Sequence, residues 1–267
     1  MTAWIVSDYI SFMKERAGEF ANLLKEGWAD FADEFKLNFI EGDRWEWLLD
    51  GFKNTILITL FSCLLGIALG VIVAIVRSTY DKTGADMKKR GGFGYRLFAF
   101  FNFICNIYLT IIRGTPVVVQ LLIMYFVIFA SSTNGTAVAI VAFGINSGAY
   151  VAEIFRSGIM SVDKGQFEAG RSLGLNYIQT MIHIIIPQMF KIVLPTLCNE
   201  FIVLLKETSV AGYVGIVDLT KAGDLIRGRT FSAFMPLIAV ALIYLVVVMI
   251  FTSLVGKLER RLRNSDH

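Results

Sequence analysis

The sequence holds no G-x-x-x-x-G-K-[ST] run, so no loop is present to cradle a nucleotide phosphate and no ATP hydrolysis is expected of this chain. Its three cysteines, Cys63, Cys105 and Cys198, stand singly inside apolar stretches. None has metal-ligand spacing, so neither a metal site nor a disulfide framework is expected, and all three read as small buried hydrophobes. Of the two histidines, His183 and His267, neither accompanies a nucleophile. A solvated or helix-packing role suits both, and nucleophile–base catalysis is not expected. Charge is scarce at 18%, and a net charge of +3 is too small to argue for a nucleic-acid partner. The N-terminus lacks a basic region followed by a short apolar core. Acidic residues interrupt it from Asp8 onward, so it does not read as a signal peptide. Internal repeats and low-complexity tracts are missing as well.

What remains is apolar. Hydrophobic residues make up 55% of the chain and mean hydropathy is +0.63, well above a soluble domain. About 20 apolar residues cross a bilayer. Thr55–Val76 and Phe231–Gly256 qualify outright, and Leu97–Ile112, Pro116–Ser132, Thr136–Ala152 and Ile192–Val214 are weaker candidates. Lys and Arg placement decides among them. Arg77, Lys82, Lys88, Lys89, Arg90 and Arg96 cluster after the first span, and Lys257, Arg260, Arg261 and Arg263 follow the last. Both clusters belong in the cytoplasm. Six crossings would put one of them outside, whereas about five satisfy both. The expected fold is therefore an all-α integral membrane protein with the N-terminus outside and the C-terminus cytoplasmic. Leu97–Ile112 then reads as a helix at the cytoplasmic interface, leading through Arg113-Gly114-Thr115-Pro116 into the second span.

Residues 1–50 differ from the rest. Tyr9, Met13, Phe20, Leu24, Trp28, Phe31 and Phe35 recur near helical spacing, with Asp8, Glu15, Glu19, Glu26, Asp30, Asp33 and Glu34 between them. This predicts an amphipathic helical extension on the outer side, lying on the membrane or packed on another subunit. Residues 51–257 form the membrane domain and residues 258–267 a basic cytoplasmic tail.

The loop over residues 158–190 is too polar to span and is patterned. Asp163 with Gln166 predicts a capping box, Phe167, Gly170 and Leu173 recur at helical spacing, and Gly174 stops the helix. Asn176 with Gln179 predicts a second box, with Pro187 ending the helix that follows. Gly165 and Ala169 lie one turn apart beside Glu168, leaving a smooth patch that a partner could approach closely.

Glu168-Ala169-Gly170, three residues, Gly174, nine residues, then Ile184-Ile185-Ile186-Pro187 resembles the EAA loop of ABC importer permeases, E-A-A-x3-G-x9-I-x-L-P. Gly170 replaces Ala and Ile186 replaces Leu. Arg113-Gly114-Thr115-Pro116, Ser147-Gly148-Ala149-Tyr150, Ala152-Glu153-Ile154, Asn199-Glu200-Phe201-Ile202 and Lys206-Glu207-Thr208-Ser209 are similar to the polar amino-acid (histidine, glutamine, arginine) branch of that family. The resemblance covers about 200 residues and leaves out the first fifty. It implies a type I importer fold in a bacterial inner membrane and no cofactor. It also implies two ABC ATPase subunits, a second permease copy or paralogue, and an extracytoplasmic amino-acid-binding protein. Glu168, Ala169, Gly170 and Gly174 would couple to the ATPase. The alternatives are an ion-gradient-driven secondary transporter, disfavoured by the missing repeat, and a non-transporting membrane docking subunit.

Ionisable groups within spans face a bundle interior or a cavity. Asn146, Tyr150 and Glu153 share one stripe. Asn199 and Lys206 share a face of the fourth span, and Glu200 and Glu207 share another. Lys206 lies about 21 Å along the helix from Ile192. With Gln120 these are the candidate pathway residues, since an amino acid presents both an ammonium and a carboxylate. Mutual pairing, Glu153 with Arg156 or Lys206 with Glu207, is the competing explanation. For Gln120 it is a helix–helix hydrogen bond. Gly66 and Gly70 predict close helix packing.

Overall fold

The computed structural model describes residues 25–264, preceded by Arg16, Glu19 and Asn22. Tyr9, Met13, Phe20, Leu24, Asp8 and Glu15 of the expected N-terminal helix lie outside the described residues. Helix α1 (residues 25–35) passes through a π turn, Lys36–Ile40, and a short 3-10 turn, Glu41–Asp43, into α2 (Arg44–Arg90). Then follow α3 (Phe93–Gly114), α4 (Val117–Ile123, extended by a π turn to Ile128), α5 (Gly135–Ser161), α6 (Lys164–Ser172), α7 (Tyr177–Thr180), α8 (Ile186–Glu207), α9 (Leu219–Thr230) and α10 (Phe234–Asn264). Among the described residues five helical stretches are long and apolar enough to cross a membrane: those containing α2, α3, α5, α7–α8 and α10.

Helix α2 runs 47 residues because nothing in it stops a helix until Gly91 and Gly92, both at positive φ. Its packing partner is α5. The Ser62 hydroxyl donates to Ile140 O, Gly66 faces Ser147, and Gly70 faces Val151. Successive turns thus meet successive turns, and the two helices run in the same direction. A Cβ at Gly70 would sit 2.5 Å from Val151 Cγ1, so the predicted close approach is real and only glycine permits it.

One expectation is revised. Helix α3 does not lie along an interface. Arg77 Nη1 donates to Asn102 Oδ1 at 3.1 Å, and Tyr108 Oη donates to Ile145 O at 2.6 Å. The helix therefore climbs antiparallel to α2, from the turn of Arg77 to the middle of α5. It ends at Gly114, and α4 continues in a new direction until Tyr125 reaches Gly135 at the start of α5. Together α3 and α4 make one bent crossing. The bend is set by Pro116, whose missing N–H and ring oppose an unbroken helix. Gln120 repairs it by donating to Ile112 O (2.8 Å), Thr115 O (3.1 Å) and Thr115 Oγ1 (2.8 Å).

Buried apolar residues gather at three depths. Ile58, Leu121, Phe143 and Leu204 join α2, α4, α5 and α8. Val151, Phe155, Ile185, Met189 and Val193 fill the α6 end of the bundle. Phe39, Leu48, Leu219, Ile226 and Met235 fill the α9 end. There, Asp218 accepts from the N–H groups of Thr220 and Lys221, capping α9. Asn38 accepts from Thr230 Oγ1 at 2.7 Å, pinning the chain just after α1 to the same helix.

Candidate functional site

The α6–α7 segment forms as its sequence demands, with three departures. Asp163 accepts from Gly165 N, but Gln166 does not close the box. Its Oε1 takes a bond from Gln188 Nε2 at 3.2 Å instead, tying α6 to the start of α8. Leu173 points outward, 76% exposed, rather than toward the bundle. Pro187 does not end the second helix. A π turn over Met181–Ile185 widens the coil, so that Pro187 enters at the first turn of α8, where its missing N–H is harmless. The Asn176–Gln179 capping box is complete in both directions.

At Gly174 (φ 79°) the helix ends in a Schellman motif. Leu175 N donates to Gly170 O, and Gly174 N donates to Arg171 O. Gly170 is buried, and a Cβ there would lie 2.7 Å from Thr180 Cγ2. It therefore sets the spacing between α6 and α7 and forms no part of an open patch. Gly165, Glu168 and Ala169 are exposed on the opposite side of α6. Phe167 is held from above by the Lys82 ammonium, 3.2 Å from the ring centroid.

The second cluster lies between α3, α5 and α8. A cavity of about 380 Å³ is lined by Arg113, Tyr150, Glu153, Ser157, Thr196 and Glu200, among others. Arg113 Nη1 stands 3.6 Å from Glu153 Oε2, and its guanidinium lies 5.9 Å from the Tyr150 ring centroid. Glu153 also meets Arg156 at 3.3 Å, and Arg156 Nε donates to Asp81 Oδ2 at 3.0 Å. Glu200 accepts from Ser147 Oγ at 3.0 Å.

Of the predicted pathway residues, Tyr150, Glu153 and Glu200 thus share one cavity. Asn146 is buried beside it and donates to Gln120 Oε1 at 2.9 Å. Gln120 is a structural bracket at the α3–α4 bend. Asn199 and Lys206 do not line the cavity; they lie on an exposed stripe of α8 that continues from Thr196 at the cavity wall through Val203. Glu207 is half-buried next to Lys206. The sequence reading quoted Arg113 only within a motif and missed its place in the cavity. The available signal was a guanidinium in the last turn of a largely apolar helix whose other arginine, Arg96, sits in the first turn.

Residues 91–264 match the family described as binding-protein-dependent transport system inner membrane component. The arginine transport system permease protein ArtQ of Bacillus subtilis (strain 168) is 33% identical over 223 residues, covering 82% of this chain and 94% of that protein. The probable glutamine ABC transporter permease protein GlnM of the same organism is 35% identical over 225 residues, covering 84% and 96%. The crystal structure of an amino acid ABC transporter with histidines superposes with a TM-score of 0.70 at 35% identity, over 81% of this chain and 94% of that one. The inward-facing MetNI methionine ABC transporter, 18% identical, shares the fold at a TM-score of 0.68, over 83% and 98%. With α6 presenting an open face, a polar cavity within the bundle and 174 contiguous residues matched, the chain belongs to the binding-protein-dependent transport system inner membrane component family.

Proposed function

We propose that this chain is the permease subunit of an ABC importer for a polar amino acid in a bacterial inner membrane. It works with two ATPase subunits, a second permease copy or paralogue, and an extracytoplasmic binding protein. The observation that carries the coupling role is the construction of α6. Its inner face is fixed by Gly170 on Thr180, and its end is closed by Gly174. Its outer face offers Gly165, Glu168 and Ala169 to a partner. A short helix fixed at this many points moves as a unit with α7 and α8, as a joint to a motor protein must. ATP is then hydrolysed on the partner, because this chain carries no phosphate-cradling loop.

The cavity supports the choice of substrate. Arg113 presents a fork suited to a carboxylate. Glu153 and Glu200 present acceptors for an ammonium, with Tyr150 alongside. A zwitterion replaces the loose Arg113–Glu153 pair by one contact to each pole. The named relatives, permeases for arginine and glutamine, and the transporter solved with histidines point to the same chemical class. Asn199 and Lys206 need cover from lipid, since exposed polar groups within a span are costly. A second permease packed on that stripe of α8 supplies it.

The test is uptake by vesicles containing the purified complex, with binding protein and a panel of labelled amino acids. Glu168→Lys and Gly174→Val are expected to remove ATP-driven uptake while the protein remains in the membrane. Wild-type uptake by either variant, or uptake by the permease without an ATPase, refutes the coupling role.

A further inference from the structure

At the α6 end of the bundle, α2 changes chemistry turn by turn along one stripe: Ala74 and Ile75, then Ser78 and Thr79, then Lys82 and Thr83. Each tier lines a cavity. The first, about 380 Å³, lies between α2, α5 and the α7–α8 helix, and its walls are almost wholly apolar (Ile75, Met181, Ile182, Ile186 and Phe190 among them). Ile75, Ile182 and Phe190 are exposed, so the cavity opens on an apolar outer face of the bundle. The second, about 560 Å³, is lined by Lys82, Lys164, Arg171 and Asn176, with Glu168 as its carboxylate. Ile159 and Tyr177 line both, which makes the two cavities neighbours across one seam.

The seam carries an unanswered polar group. Ser78 is 2% exposed, and its Oγ has no hydrogen-bond partner. The Tyr177 hydroxyl lines the same cavity and is buried, with Thr79 as its neighbour. Buried hydroxyls are nearly always bonded, so an unanswered one next to an apolar cavity points to an absent acceptor. The order is apolar, then hydroxyl donor, then cation. A phospholipid presents the matching order: acyl chain, ester carbonyl, phosphate.

We propose that these two cavities form one binding site for an anionic phospholipid from the leaflet on the α6 side. An acyl chain fills the apolar cavity, an ester carbonyl accepts from Ser78 and Tyr177, and the headgroup is met by Lys82, Lys164 and Arg171. Basic pockets between membrane helices recognise anionic headgroups in this way. The headgroup would then lie against α6 and α2 together, so the lipid fastens the coupling segment to the bundle.

The experiment uses the complete transporter in nanodiscs of phosphatidylcholine with a minor fraction of phosphatidylglycerol, followed by release and lipid quantification by native mass spectrometry. Phosphatidylglycerol is expected to be enriched on the permease over phosphatidylcholine. Lys82→Ala and Arg171→Ala are each expected to lower that enrichment about fivefold. Ile182→Trp, which fills the apolar cavity, is expected to abolish it. Phe126→Trp, an exposed apolar site remote from the cavity, is expected to leave it unchanged and serves as the folding control. Equal retention of the two lipids overturns the proposal, as does enrichment that survives Ile182→Trp. Displacement of the lipid by soluble glycerol phosphate reduces the site to a phosphate pocket and overturns the acyl-chain assignment.

Discussion

Arg156 Nε donates to Asp81 Oδ2 at 3.0 Å, joining α5 to α2 one residue before the lysine that grips Phe167 of α6. The same guanidinium holds Glu153, and Glu153 holds Arg113. A line of charges therefore runs from the cavity to α6. Side chains along it are between 30% and 44% exposed, so each pair contributes at most about 1 kcal/mol. Asp81→Asn is expected to change the melting temperature of the purified complex little, and Arg156→Ala to lower it more, because two pairs are lost. The uptake rate of Asp81→Asn and Glu153→Gln, alone and together, tests the connection. Non-additive effects show that both act through Arg156, and simple additivity shows that they do not.

Gly170 stands where the family pattern has alanine, and Thr180 explains why. The added methyl would meet Thr180 Cγ2 at 2.7 Å and Oγ1 at 2.8 Å. Gly170→Ala is expected to cost about 1–3 kcal/mol by overpacking and to reduce ATP-driven uptake. Thr180→Ala removes both clashing atoms, so the double variant should recover most of the loss. Thermal melting and vesicle uptake of the three variants check this.

In the cavity, Arg113→Lys keeps the charge and loses the fork. Uptake is expected to show a KM raised about tenfold with smaller change in the maximal rate. Lys206→Ala is expected to alter uptake more than Cys63→Ala, since Cys63 is buried among apolar side chains and Lys206 lies on an exposed face of α8. Equal activity of the last two variants removes Lys206 from the pathway.

Asp218, capping α9 at the other end, is buried, and burial pushes its carboxyl above the usual carboxylate range against the bonds from Thr220 and Lys221. A carboxyl raised in the folded state costs nothing below its unfolded pKa, where it is neutral in both states. The cost then grows as pH rises through the folded value. Asp224 behaves oppositely. Its bonds from Lys221 and Arg227 hold it down, and their contribution fades only as pH falls through its lowered value. Asp218→Asn keeps one of the two cap bonds, an amide having a single acceptor oxygen, and removes the burial cost of the charge, so its melting temperature relative to wild type should be higher near neutral pH than in acid. Asp218→Ala, losing the cap, should cost about 1 kcal/mol.

Much of the fold was legible in the residues. Charge clusters and apolar runs are one-dimensional signals, and they yielded five crossings, the α6–α7 turn and the Gly66–Gly70 contact. The bent α3–α4 crossing was not legible in full. Pro116 announces a break, but the direction of α3 depends on Asn102 and Tyr108 finding Arg77 and Ile145, and both contacts are tertiary. The π turn before Pro187 is hidden for the same reason. A proline reads as a stop unless the preceding coil widens to admit it. Within the site, the stripe of Tyr150 and Glu153 followed from helical periodicity. Arg113 and Glu200 joined it only through packing among three helices, and Asn199 and Lys206 lie further along α8 on the stripe that begins at Thr196 on its wall.

Helix α2 carries no break between its start at Arg44 and the grip on Phe167. From Arg44 to Lys82 it spans about 57 Å, and it crosses α5 most tightly at Gly70. A rod held at an interior point swings its ends in opposite senses. A small tilt imposed at the Lys82 end therefore arrives, reversed, beneath Phe39 and α9 without any rearrangement in between. Stiffness, rather than a chain of switching contacts, would let the two faces of the membrane answer each other.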